Sequence, residues 1–170
     1  MRKNAFWIVY VMLLLGQLLI SNYFTFTPYI TLSILPVMVL CISTSVSTPA
    51  TMIIAFLTGL AVDWLSEGVL GLNAIALVPV AYIRKPVIQF IFGNSLSARK
   101  EDFTVQSNGQ LSVMVAILAV QAVFLAIYIW VDGAGMRPFW FNVARFFASL
   151  AAGLLVSVFT LTPLASDNRR

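Results

Sequence analysis

Long, unbroken apolar runs fill most of this chain, and they constrain its fold more than any other feature. Hydrophobic residues make up 61% of the 170 residues, and charged residues only 9%. A surface that faces water needs more charge than that, whereas lipid removes the need. Backbone groups in lipid must bond to one another, so only helices or a closed barrel can cross it. Because the runs lack the polar–apolar alternation of barrel strands, they predict helices.

Turn signals divide the apolar sequence into six predicted transmembrane helices, which form one all-α membrane bundle. Thr27-Pro28 and Thr48-Pro49 each combine a capping threonine with a proline suited to the first helical turn. Pro36 is expected to kink the second helix. The apolar run after Arg84-Lys85-Pro86 is too short to cross and is expected to lie at the interface. The predicted spans are about 5–20, 28–45, 49–65, 69–83, 111–131 and 138–162, with a polar cytoplasmic loop over 84–110.

Basic residues fall unevenly on the two sides that six crossings create. An even number of crossings puts both termini on one side. If that side is the cytoplasm, eight of the ten basic residues face inward, and only Arg137 and Arg145 lie towards the outer side. An inward excess of lysine and arginine is the general rule for membrane proteins. The sequence therefore predicts a multi-pass protein with both termini in the cytoplasm.

Composition also argues against several kinds of function. The chain has no histidine and one cysteine, Cys41, so an internal disulfide and thiolate or imidazole metal sites lack their ligands. It has no phosphate-binding glycine loop and no Gly-x-Ser-x-Gly motif. Its basic residues lie at helix ends rather than in a nucleic-acid-binding patch. We therefore expect a non-catalytic protein of the lipid bilayer, with no cofactor and no nucleic-acid partner.

The densest group of polar and glycine residues is the segment Gly59–Asn73, between the third and fourth predicted helices. Asp63 and Glu67 are four residues apart and would share a helix face. Paired carboxylates can serve acid–base chemistry or cation binding, but acids at a helix end more often simply meet water. Gly68 and Gly71 predict a tight reversal. A structural or partner-binding role is the favoured interpretation.

Arg145 is predicted to lie about 10 Å inside the sixth helix, at 1.5 Å per residue. An arginine at that depth either snorkels towards the interface or pairs with an acid. Asp63, Glu67 and Asp132 are predicted at the same depth. We expect an ion pair with one of them, Asp63 being favoured, and snorkelling alone is the alternative.

Small and amide side chains predict close helix packing. Ala144, Ala148 and Ala152 recur on one face of the sixth helix, where they would admit a neighbouring helix of this bundle or of a partner. Five amides are expected to bond between helices: Gln17, Asn22, Asn73, Gln121 and Asn142.

Several motifs together carry a resemblance to a known family. The first helix begins with basic residues and closes with Gln17 and Asn22. The remaining motifs are Phe56-Leu57-Thr58-Gly59-Leu60-Ala61-Val62-Asp63, Gly68, Gly71-Leu72-Asn73-Ala74, Ala76 and Arg84-Lys85-Pro86. In these motifs and in its whole arrangement, the chain resembles the MreD family of rod shape-determining proteins, in the form found in Bacteroidetes-type bacteria. It departs from look-alikes at Asn73, a position that is often histidine.

The resemblance implies a scaffold or regulatory subunit of the bacterial inner (cytoplasmic) membrane that belongs to the elongation machinery. Such a subunit would bind an MreC-like protein and work beside MreB, RodA and a penicillin-binding transpeptidase. The family is also similar in fold to substrate-binding subunits of energy-coupling-factor vitamin transporters, which gives the alternative function. A carrier of that kind would need an outer pocket, built from Asp63, Trp64, Asn73, Asn142 and Arg145. The first helix lacks the alanine pairs with which such carriers dock their partner, and this favours the scaffold.

Overall fold

The computed structural model describes residues 3–23, 30–67, 69–92, 110–133 and 137–166. Within those ranges the chain is all-helical, without β-strands, as the sequence predicted. A π-helical turn, Asp63–Glu67, follows the third helix. The described residues form six α-helices: α1 (Lys3–Tyr23), α2 (Leu35–Leu40), α3 (Thr48–Val62), α4 (Leu72–Phe92), α5 (Gln110–Gly133) and α6 (Phe139–Ser166).

Four helical stretches of the described residues are long and apolar enough to cross a membrane. They are Thr48–Ser66, Leu72–Phe92, Leu111–Gly133 and Phe139–Ser157. The apolar part of α1, Phe6–Asn22, is shorter. Many large hydrophobic side chains remain exposed around the bundle, as a lipid-facing surface requires, among them Met12, Leu57, Leu118 and Leu155.

The shortest helix lies at the centre of the bundle. α4 packs against α3 and α5, α5 packs against α6, and α1 contacts α3 and the π-helical turn. α2 contacts α1, α3, α4 and α5, and all six of its residues are buried. The core is therefore built around a helix too short to cross a membrane by itself.

The predicted helix over 28–45 is wrong in its first part. Residues 30–34 are not helical, and α2 covers only Leu35–Leu40. Pro36 lies in the first turn of α2, where its missing N–H removes no helical hydrogen bond. The proline thus begins a short helix instead of kinking a long one, because its ring disfavours a helical turn before it.

The fourth helix continues beyond its predicted end at residue 83. α4 passes through Arg84-Lys85-Pro86 and ends at Phe92, so the predicted interfacial run forms its last turns. Pro79 and Pro86 both lie inside α4, which membrane helices tolerate when neighbouring groups satisfy the freed carbonyls. The remainder of the predicted loop, residues 93–109, lies outside the described residues.

Gly59 permits the close approach of α3 to α4. A Cβ atom at this position would lie 2.5 Å from Ala74 Cα and 2.6 Å from Ala74 N. Both are backbone atoms, so neither can rotate away as a side chain would. Gly16 in α1 provides the contrast, because a Cβ atom there would meet nothing within 4 Å.

We expect Gly59→Ala to destabilise the protein by about 1–3 kcal/mol, the usual range for overpacking a close contact. Thermal unfolding in a mild detergent measures this effect. Gly16→Ala is the matched control, and it should be neutral or stabilise by up to about 1 kcal/mol, because alanine is the better helix former. Equal melting temperatures for the two variants would contradict the packing role of Gly59.

Candidate functional site

Asp63 connects the end of α3 to the start of α4. Its side chain has no exposed surface. Oδ1 accepts hydrogen bonds from the backbone N of Asn73 at 3.0 Å and from its Nδ2 at 2.9 Å. Oδ2 accepts from the backbone N of Gly71 at 2.9 Å and of Ala74 at 3.3 Å. The first N–H groups of a helix have no partner within it, so Asp63 caps α4 and its charge complements the helix dipole.

The local backbone explains how one side chain reaches all these donors. The α3 helix changes to a π-helical turn at Asp63. Gly71 then adopts φ +98°, a left-handed conformation that glycine reaches without strain. That conformation lets the chain reverse directly into α4. The tight reversal predicted from Gly68 and Gly71 is confirmed at Gly71, whereas Gly68 lies outside the described residues.

The α-helix that was expected to carry Asp63 and Glu67 on one face ends at Val62. Both residues belong instead to the π-helical turn that follows α3. Asp63 is also buried rather than meeting water, and its oxygens are bonded to α4. The side chain of Glu67 lies outside the described residues. Both carboxylate oxygens of Asp63 are thus engaged by donors of the α4 terminus.

Arg145 is the second buried charge, and its acid partner is Asp132 rather than Asp63. Its side chain is 10% exposed, and Nη1 bonds to Oδ2 of Asp132. Nε and Nη2 donate to Oγ1 of Thr31 at 3.2 and 2.9 Å. Asp132 lies at the end of α5, the helix against which α6 packs. The predicted ion pair thus exists with a different acid, because the α4 terminus occupies both oxygens of Asp63.

The non-helical residues 30–34 are held by polar side chains from three helices. Gln17 of α1 accepts from the backbone N of Ile34 at 2.8 Å and donates to the carbonyl of Leu32 at 3.3 Å. Ser149 of α6 accepts from the backbone N of Thr31 at 2.8 Å. Gln121 of α5 donates to the carbonyl of Ser33 at 3.1 Å. Side chains here provide the hydrogen bonds that a helix would have provided from its own backbone.

Arg84 holds the other end of the same segment. It is 1% exposed, and its Nε donates to the carbonyl of Leu40 at 3.1 Å. Leu40 ends α2, where carbonyls lack partners within the helix and a cation complements the dipole. The sequence predicted Arg84 at the end of a helix, facing water. In the structure it is instead buried and bonds to a backbone carbonyl.

These contacts give the direction of the segment 30–40 within the bundle. Thr31 bonds to Arg145, and the partner of Arg145, Asp132, lies in the last turn of α5. Ser33 bonds to Gln121, which lies roughly 16 Å before Asp132 along the same helix. Leu40 then bonds to Arg84 in the second half of α4. The segment thus runs along the bundle axis, non-helical over residues 30–34 and helical over Leu35–Leu40.

The small residues predicted to line the packed face of α6 are not those that the structure buries. Ala148 and Ala152 are half-buried, and the face of α6 that packs inward is instead Arg145, Ser149, Gly153 and Ser157. Gly153 leaves the room that Gln121 occupies, because a Cβ atom there would collide with its Nε2. Of the remaining predicted residues, Asn142 is half-buried beside Gly133, and Asn22 and Pro86 are exposed.

The residues proposed for a carrier pocket are divided between two clusters. Asp63 and Asn73 bond to each other, whereas Arg145 bonds to Asp132 and Thr31. Trp64 is exposed on the π-helical turn. Within the described ranges, no hydrogen bond or ion pair joins the two clusters. Sequence reasoning did not identify Thr31, whose only signal was a hydroxyl within an apolar run.

Comparisons with protein-family models, with curated proteins and with solved structures find no match to this chain.

We expect Asp63→Asn to lower the melting temperature of the detergent-solubilised protein markedly. An amide offers one acceptor oxygen, and its NH₂ group would oppose the N–H groups of α4. Each buried donor left without an acceptor costs about 1–3 kcal/mol. Trp64→Ala is the neighbouring control, because the side chain of Trp64 is exposed. If both variants lose the same stability, the turn is fragile in general and the capping role is wrong.

A double-mutant cycle distinguishes the observed ion pair from the predicted one. We expect Asp132→Asn and Arg145→Gln to show a coupling energy of about 1–3 kcal/mol, because each side chain bonds directly to the other. Asp63→Asn with Arg145→Gln should be additive within about 0.5 kcal/mol, since the two residues share no partner. Coupling in the second cycle and none in the first would restore the Asp63–Arg145 pair.

Proposed function

We propose that this protein is a non-catalytic, multi-pass subunit of the bacterial inner membrane that serves the elongation machinery as an MreD-like scaffold. The four long apolar helices support a place in the membrane. The most specific part of the resemblance, Gly59 to Pro86, corresponds to a single structural unit, the hairpin of α3 and α4. Its members Gly59, Asp63, Gly71 and Asn73 all meet at the turn.

One observation carries this proposal: the polar groups of that hairpin bond to the protein's own backbone. Asp63 caps α4, and Arg84 binds the end of α2. Both are buried, so they stabilise the bundle instead of facing a ligand or substrate. A bundle stiffened in this way is suited to recognising other proteins through its outer surface.

Topology supports the same placement after the two buried arginines are removed from the charge count. Arg84 and Arg145 are internal ligands, so they say little about the side on which a loop lies. Eight basic residues remain, ten minus two. One, Arg137, is on the proposed outer side, and seven are on the proposed cytoplasmic side: Arg2, Lys3, Lys85, Arg99, Lys100, Arg169 and Arg170.

The outer face of α6 is the proposed contact for a partner's transmembrane helix. α6 packs chiefly against α5, and its opposite side is not covered by any other described helix. Ala144 and Ala151 are exposed on that side, where they alternate with the exposed large residues Phe147 and Leu155. Small residues among large ones let a second helix approach closely. An MreC-like protein is the proposed occupant, beside RodA, a penicillin-binding transpeptidase and MreB.

The carrier alternative retains one favourable observation, the non-helical part of residues 30–40. Membrane carriers commonly use discontinuous helices, whose unwound backbone binds substrates near the middle of the membrane. Here Gln17, Gln121 and Ser149 bond to that backbone. A ligand would therefore have to displace contacts that the protein already makes. For this reason the scaffold is the preferred function.

We expect that affinity capture of the tagged protein from gently solubilised membranes, followed by mass spectrometry, recovers MreC-like and peptidoglycan-synthesis proteins. Ala151→Leu should reduce their recovery at least severalfold, because added bulk on the exposed face of α6 prevents close helix approach. Thermal unfolding should be unchanged, since the residue is exposed.

Ala126→Leu provides the matched control, because it adds the same bulk at an exposed position of α5. It should leave recovery unchanged. Equal loss in both variants would show that α6 is not the specific contact. Recovery of ATPase and transmembrane coupling subunits without cell-wall enzymes would contradict the scaffold and establish the carrier.

A further inference from the structure

Two guanidinium groups share one carboxylate where α5 ends and α6 begins. Oδ2 of Asp132 bonds to Arg145 and lies 3.3 Å from Nη1 of Arg137. The cluster therefore has two positive charges and one negative charge, a net charge of +1. Residues 134–136 of the connecting turn, Ala-Gly-Met, add no charge. We call Asp132, Arg137 and Arg145 the arginine rim.

The two arginines differ in their access to the exterior. The side chain of Arg145 is 10% exposed and bonds to Asp132 and Thr31. The side chain of Arg137 is 38% exposed, and its contacts among the described residues are with Asp132 and the ring of Phe141. A guanidinium carries five N–H donors. The excess charge of the rim is thus presented outward through Arg137.

Exposed aromatic side chains surround this end of the bundle. Trp130, Phe139 and Trp140 are all exposed. The ring of Phe139 lies 6.3 Å from that of Trp130 and 6.0 Å from that of Trp140, centroid to centroid. Tryptophan concentrates at the level of lipid headgroups, where its apolar body and polar N–H are both satisfied. The aromatic cluster therefore places Arg137 at the depth of lipid phosphates.

We infer that the arginine rim binds the phosphate of an anionic phospholipid in the adjoining leaflet. A guanidinium fork matches the geometry of phosphate oxygens, and the aromatic cluster offers apolar surface to the lipid chains. The net positive charge selects a lipid with net negative charge, because the ammonium group of a zwitterionic lipid would be repelled by Arg137. This inference rests on the proposed membrane placement and not on the proposed partners.

The test is native mass spectrometry of the full-length protein released from nanodiscs with equal phosphatidylglycerol and phosphatidylcholine. The wild type should retain phosphatidylglycerol preferentially. Arg137→Gln should reduce that retention about fivefold, the usual effect of one basic residue near an anionic surface. Arg137→Lys should lie between the two, because it keeps the charge but lacks the fork. Each sample's melting temperature confirms that it is folded.

Lys85→Gln is the control, since it removes the same charge from α4, away from the rim. It should leave the retention unchanged. An equal loss in Lys85→Gln and Arg137→Gln, or equal retention of both lipids by the wild type, would overturn the inference. Displacement of phosphatidylglycerol by inorganic phosphate would instead identify a site for a free anion. Failure of the protein to partition into membranes would contradict the membrane placement itself.

Discussion

The structure depends on a stretch of non-helical backbone enclosed by an apolar bundle. Residues 33–40 are buried throughout, yet residues 30–34 are not helical, so their N–H and C=O groups, apart from the carbonyl of Ile34 that bonds to Met38 N of α2, need partners outside a helix. An unbonded polar group in such surroundings costs several kcal/mol, so each of these groups needs a partner from elsewhere. Gln17, Gln121 and Ser149 provide partners for four of them: the N–H groups of Thr31 and Ile34 and the carbonyls of Leu32 and Ser33. Because they come from α1, α5 and α6, the segment fixes the positions of helices that are distant in sequence.

The same requirement explains where the buried charges are. Asp63 bonds to the free N–H groups at the start of α4, and Arg84 bonds to a carbonyl at the end of α2. Each charge thus faces the helix end whose dipole complements it. Arg145 completes the set by holding Thr31 at the start of the enclosed segment while pairing with Asp132. Asp63 and Arg84 are thus ligands for backbone groups, whereas Arg145 bonds to the side chains of Asp132 and Thr31.

The structural features that the sequence predicted correctly are those that depend on hydrophobic periodicity and on the chemistry of neighbouring residues. Apolar runs identified the helices, and glycine spacing identified the reversal at Gly71, because both signals lie within a few neighbouring residues. The late start of the second helix, at Leu35, was missed, since Pro36 is equally compatible with kinking a helix and with starting one. The partner of Arg145 was missed because three acids share its predicted depth. The fold excludes the Asp63–Arg145 pair for two reasons: α5 lies next to α6, and Asp63 caps α4.

The side chains that bond to the backbone of residues 30–34 also limit the kinds of function that this fold can serve. A discontinuous crossing that leaves its backbone open can exchange those bonds with a ligand. Here the bonds are already made by side chains that also position helices, so ligand binding would loosen the bundle that forms the site. Gly153 reinforces this, because its missing side chain gives Gln121 the space it occupies beside Ser33. The segment 30–40 therefore acts as an internal brace of the bundle, and the proposed partner and lipid would bind at the outer helix faces and the arginine rim.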